Sequence, residues 1–137
     1  MNITHIEHIG IAVSDLENAI SIYEKVFGLK CYKIEEVKDQ KVRTAFFRLG
    51  ATKLELLEST DPGSAVGKFI EKRGEGLHHI AFAVQDLDKG LKEAQEAGVK
   101  LIGSMPGKGA EGLSIAFLHP RSTFGVLTEL CEDNSGN

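Results

Sequence analysis

The stretch His8-Ile9-Gly10-Ile11-Ala12-Val13-Ser14-Asp15-Leu16 returns 71 residues later as His79-Ile80-Ala81-Phe82-Ala83-Val84-Gln85-Asp86-Leu87. A second echo follows in order, Phe27-Gly28-Leu29-Lys30 against Ala97-Gly98-Val99-Lys100. A third sets Leu54-Glu55-Leu56-Leu57-Glu58 against Thr128-Glu129-Leu130-Cys131-Glu132, now offset by 74 residues. Three matches in register within 137 residues limit the chain to folds built from two like supersecondary units.

Each unit reads as strand, helix, then three strands, an α+β fold of two tandem βαβββ modules. Ile6 to Val13 alternates, with Ile9, Ile11 and Val13 on one face and Ile6, His8, Gly10 and Ala12 on the other. Ser14 and Glu17 have the spacing of a capping box, and Leu16, Ala19, Ile20, Tyr23 and Phe27 recur at helical intervals before Gly28 stops the helix. Strands are expected at Cys31 to Val37, Val42 to Leu49 and Thr52 to Glu58. Asp61-Pro62-Gly63 is a turn, and Ser64 to Lys72 a short linker helix. The second half predicts a strand at Leu77 to Val84 and a helix at Leu87 to Ala97. Strands follow near Val99 to Ile102, Leu113 to Leu118 and Gly125 to Cys131, with a flexible loop over Pro106 to Gly112. The expected organisation is one domain over 1–137: module 1 over about 3–60, a linker over 61–75, module 2 over 76–132 and a polar tail over 133–137.

Composition narrows the partners. A net charge of -4 leaves no general basic face for displacing counterions from phosphates, so nucleic acid is not an expected partner. No apolar run reaches the roughly 20 residues that span a bilayer, and the first residues lack the pattern of a signal peptide, so a cytoplasmic protein without a membrane partner is expected. Cys31 and Cys131 are too few for a disulfide framework and read as packing residues.

The repeat also carries chemistry. His8 shares its strand face with Gly10 and Ala12, and His79 shares its face with Ala81 and Ala83, where a filled core would place Val, Ile or Leu. Glu55 and Glu129 interrupt apolar strands at equivalent places, and a carboxylate buried in a strand is costly unless paired or bound to a cation. A lone strand histidine is usually structural and a lone strand glutamate usually points to water; two of each at repeated positions point to one divalent-metal site made by His8, Glu55, His79 and Glu129. Two nitrogens and two oxygens with open positions suit Co²⁺, Mn²⁺, Ni²⁺ or Mg²⁺, and Zn²⁺ less well. His78 takes the place of Glu7 and should face the other way, and His5 and His119 have no repeat partners.

Paired βαβββ units with these four residues resemble the vicinal oxygen chelate (glyoxalase-like) superfamily. Within it, Gly76-Leu77-His78-His79-Ile80-Ala81-Phe82-Ala83-Val84, Ile115-Ala116-Phe117-Leu118-His119-Pro120-Arg121 and Gly125-Val126-Leu127-Thr128-Glu129-Leu130 resemble the methylmalonyl-CoA epimerase family. Leu54-Glu55-Leu56-Leu57-Glu58 and Phe69-Ile70-Glu71-Lys72 fit it too. The resemblance implies a curved, cup-like mixed sheet with helices outside, a homodimer, and an acyl-CoA substrate whose (2R) and (2S) forms are interconverted. Proton removal at carbon two would create an enolate at the thioester oxygen, which a cation, Co²⁺ first among the choices, would stabilise.

Glu129 and Glu55 are the candidate catalytic carboxylates. Some members of the family carry a further glutamate base on the third strand, where this chain has Arg43 or Thr44, neither a carboxylate. Arg43, Lys108 and Arg121 are candidate contacts to anionic parts of the substrate. Two other readings use the same scaffold: a glyoxalase-like isomerase of a hemithioacetal, and a drug-sequestering protein with no metal. An extradiol dioxygenase fits less well, since that chemistry uses two histidines and one carboxylate.

Overall fold

The computed structural model describes residues 1–132, so the polar tail expected over 133–137 lies outside the described residues. The chain forms two compact units: His8–His78, and Met1–Glu7 joined to the chain from His79 onward. Strand β1, Ile3–Ala12, therefore contributes its first residues to one unit and the rest to the other.

In the His8–His78 unit, β1 is followed by α1 (Leu16–Phe27), β2 (Cys31–Val37), β3 (Val42–Leu49), β4 (Thr52–Ser59) and α2 (Ala65–Arg73). β1 pairs parallel with β4, while β3 pairs antiparallel with both β4 and β2. Leu16, Val13, Ala45, Phe47 and Leu56 are buried together, with Ile11, Ala19, Ile20, Tyr23 and Leu54 packed around them, so α1 covers the Ile11/Val13 face as its spacing predicts. The expected capping box is corrected by one residue. Asp15 is the N-cap and accepts from Asn18 N at 3.1 Å, because Ser14 N is held by Glu75 Oε2 at 2.7 Å and Glu17 is paired with Arg43. Phe27 is also corrected: it is 60% exposed, reaching the core only through its edge contact with Tyr23. Gly28 ends α1 at φ +66°, a conformation in which a Cβ is strained.

The second unit carries β5 (Gly76–Val84, from His79 onward), α3 (Leu87–Glu96), β6 (Leu101–Lys108), β7 (Ser114–Leu118) and β8 (Thr128–Glu132). β5 pairs parallel with β8, and β7 pairs antiparallel with β8 and β6, repeating the first module's pattern. Thr4 of β1 contacts Ala83 O at 3.5 Å within this unit. Val84, Leu87, Leu91, Ala94, Leu118 and Leu130 form its core.

Two expectations change here. β6 runs on to Lys108, because the chain leaves register after Ile102, at Gly103 with φ +78°, and rejoins β7 at Gly107 opposite Ile115. The flexible loop shrinks to a 3₁₀ turn at Ala110–Gly112. β8 starts at Thr128 rather than Gly125, since Gly125 N is spent on Pro120 O at 2.7 Å. Among the described residues no helix is long and apolar enough to cross a membrane.

Candidate functional site

Each unit holds one buried imidazole beside one buried carboxylate. In the His8–His78 unit, the parallel register sets Gly10 opposite Glu55, so a strand with no side chain at that point lies alongside the carboxylate's strand. His8, two residues earlier on the same face, brings Nδ1 to 3.2 Å from Glu55 Oε2. In the other unit Ala81 stands opposite Glu129, and His79 Nε2 lies 3.2 Å from Glu129 Oε1. All four residues are 3–4% exposed. Phe46 flanks Glu55 on β3, and Phe117 flanks Glu129 on β7, where its ring meets His79 edge-on at 5.7 Å.

Buried polar groups of this kind need charge compensation. Within each unit the separation suits two neighbouring ligands of a divalent ion: ligands bound at about 2.1 Å in neighbouring octahedral positions lie about 3 Å apart. Both N···O distances match that spacing. The small residues beside the histidines do not open empty space throughout, for Ala81 packs with Ile115, Cys131, Leu113 and Phe117.

The remaining sequence candidates separate by their contacts. Arg43 binds Glu17 at 2.6 Å and Glu58 at 3.4 Å, which sets one positive charge beside the acidic cluster of Asp15, Glu17 and Glu58. The guanidinium's hydrogen bond holds the Glu17 carboxyl below the usual glutamate range, and Glu17 in turn raises Arg43. Lys108 closes β6, with Nζ 3.4 Å from Ser114 Oγ and 3.5 Å from Gly112 O. Arg121 is exposed in the turn after Pro120, its backbone N on His119 Nδ1 at 3.1 Å. His78 faces away from the site's strand face, as expected, and stacks edge-on against Phe69 of α2 at 5.0 Å.

Sequence reasoning missed four contributors. Glu58 Oε2 accepts from Leu16 N at 2.8 Å, and Glu132 Oε1 from Leu87 N at 3.1 Å, so the second glutamate of each repeated motif ties β4 or β8 to the start of its module's helix. The signal was present as Glu58 and Glu132 in the third echo. Lys53, only 4% exposed, shares a β4 face with Glu55 and sets Nζ 5.8 Å from the Phe46 ring centroid. Cys131 donates from Sγ to Glu129 Oε2 at 2.9 Å. Thr44, 1% exposed, fills the third-strand position discussed above, and its hydroxyl has no hydrogen-bond partner among the described residues.

Residues 7–117 match the Glyoxalase/Bleomycin resistance protein/Dioxygenase superfamily. The Bacillus subtilis protein YqjC is 49% identical over 93% of this chain and 91% of its own. The ethylmalonyl-CoA/methylmalonyl-CoA epimerase of Cereibacter sphaeroides is 37% identical over 93% of this chain and 97% of its own. Among solved structures, Streptomyces coelicolor methylmalonyl-CoA epimerase in complex with 2-nitronate-propionyl-CoA superimposes with a TM-score of 0.94 at 39% identity, covering 98% of this chain and 97% of that one. The family match over most of the chain and the near-complete coverage of these relatives place it: it belongs to the glyoxalase/bleomycin resistance protein/dioxygenase superfamily, among its methylmalonyl-CoA epimerases.

Proposed function

We propose that the protein is a metal-dependent epimerase that interconverts (2R)- and (2S)-methylmalonyl-CoA by removing and returning the proton at carbon two. The observation that carries this reading is the pair of buried imidazole–carboxylate contacts, His8 with Glu55 and His79 with Glu129, each at 3.2 Å in a chain of this family. His8, Glu55, His79 and Glu129 would hold one divalent ion, Co²⁺ in preference to Mn²⁺, Ni²⁺, Mg²⁺ or Zn²⁺. When bound, that ion supplies positive charge for the thioester oxygen as the enolate forms.

The chain's own residues do the rest. Cys131 donates to Oε2 of Glu129 and leaves Oε1 on the His79 side of the site, which orients the carboxylate for proton transfer. Inversion also needs a proton carrier on the opposite face of the planar intermediate. Thr44 is not a carboxylate, so this duty falls to Glu55 of the first module. Lys53, buried on the Glu55 face, offers an ammonium for the substrate's free carboxylate, and Lys108 and Arg121 are exposed cations available to the coenzyme A phosphates. Arg43, already engaged by Glu17 and Glu58, would reach substrate only by giving up those pairs. A single-domain, cytoplasmic protein, read from chain length and the absence of a signal-peptide pattern, completes the reading, and the homodimer rests on resemblance to the family.

The test is isotopic. Protein stripped of metal and then restored with Co²⁺ is incubated with methylmalonyl-CoA in deuterated water. Deuterium entering carbon two with loss of stereochemistry, only when metal is present, supports epimerisation. Absence of exchange alongside rapid turnover of a hemithioacetal would replace it with the glyoxalase-like reaction. Ligand retention without metal or turnover would mark a sequestering protein. Ethylmalonyl-CoA, which appears in the name of the Cereibacter sphaeroides relative, is the second substrate to offer.

A further inference from the structure

We propose that the Cys131 thiol is a positioning group for Glu129, fixing the orientation in which its carboxylate is presented to the site; this rests on the reading of Glu129 as ligand and proton carrier. Residues 129 and 131 share one face of β8, and the Glu129 side chain lies along the strand so that Cys131 Sγ donates to Oε2 at 2.9 Å. The other oxygen, Oε1, is the one that meets His79 Nε2. Each oxygen thus has a different neighbour, and turning the carboxylate out of this plane would lose the thiol's hydrogen bond.

The surroundings make the thiol effective. Cys131 is fully buried, opposite Ala83 on β5 and Ile115 on β7, in a cluster with Ala81 and the flanking Leu113 and Phe117. Water does not compete for the hydrogen bond there, and a donor of fixed direction replaces it. The first module lacks this device: Leu57 stands where Cys131 stands, two residues after Glu55, and an apolar side chain has no proton to donate. The two carboxylates are therefore inequivalent, Glu129 anchored through its second oxygen and Glu55 without a thiol.

Cys131→Ala and Cys131→Ser differ by one hydroxyl and leave nearly the same volume, which separates donation from packing. Each is purified with its full chain and compared with wild type in Co²⁺ titration by calorimetry, in turnover with methylmalonyl-CoA, and in thermal unfolding. The expected result is about a 10-fold to 100-fold loss of kcat in Cys131→Ala, with Co²⁺ binding weakened about 10-fold, since partners of a ligand are worth that much. KM should change by less than about twofold, because the lost bond acts through Glu129 and does not touch substrate. Cys131→Ser should recover most of both losses while unfolding at the same temperature as Cys131→Ala. Equal defects in the two variants, or none in either, overturn the proposal. If wild type neither binds Co²⁺ nor exchanges carbon-two protons, the reading of the site fails first and takes this inference with it; a competent wild type with an unaffected Cys131→Ala defeats the inference alone.

Discussion

The two modules solve the same problem with different materials. Both present a histidine from the first strand to a glutamate on the last strand at 3.2 Å, yet the first uses Nδ1 and the second Nε2. Behind Glu55 the chain offers Leu57, and behind Glu129 it offers a thiol. The helices differ as well. Tyr23 of α1 lies 5.9 Å from Phe47 and fills its core, whereas the residue 71 positions later is Ala94. Around Ala94 a cavity of about 580 Å³ remains, lined by Ile80, Phe82, Val99, Leu118 and Leu130 among others. The repeat keeps the histidine–glutamate pairs and the helix caps, while packing and the carboxylate's support differ.

That contrast sets the largest test. Glu129→Gln should lower turnover about 10³-fold, within the span of about 10² to 10⁴ attributed to a positioned acid or base, and Glu55→Gln should cost less, as measured by steady-state assay with each stereoisomer. Identical losses would mean that the two carboxylates are interchangeable and the asymmetry idle. Next, Tyr23→Ala should destabilise the fold by about 2 kcal/mol, below the 3–5 kcal/mol of a wholly buried aromatic because Tyr23 is only partly covered. Ala94→Phe in the other helix should fill existing space and leave stability within about 1 kcal/mol of wild type, both read by urea unfolding.

Smaller effects belong to the helix starts. Asp15→Ala and Asp86→Ala should each cost about 1 kcal/mol, since each removes an acceptor from a backbone N–H at 3.1 Å. Arg43, with no counterpart where Ser114 stands in β7, makes the last comparison. Glu17 is held below its ordinary range in the folded chain by that guanidinium. Its stabilising effect is fully present above the unfolded carboxyl's value of about 4.3 and is lost as pH falls through the lower folded value. Thermal unfolding from pH 6 downward should show this component absent in Glu17→Gln. Both groups face water, so the difference should be the smallest of the set.

Most of the fold was legible because the repeat forces like elements into like places. Cys31–Val37 and Val42–Leu49 form as their alternation predicts, and α2 follows the turn at Asp61-Pro62-Gly63. The errors arose where local pattern competes with contacts from distant residues. Ser14 and Glu17 have capping-box spacing, yet Glu75 and Arg43, far along the chain, claim their groups. The strand expected near Val99 to Ile102 instead releases its register at Gly103 and resumes pairing at Gly107. The four proposed ligands were visible through their repetition, whereas Lys53 and Cys131 were not, because neither has an equivalent in the other half. A residue without an echo cannot be found by looking for echoes.

The division of β1 between the two units bears on how such a chain arose and how it can be dissected. Cleavage in the α2 linker would not return the two units intact: the downstream fragment would be without Met1–Glu7, residues that its own unit uses, Thr4 among them. A faithful half-length molecule must instead be assembled by grafting that opening stretch ahead of His79.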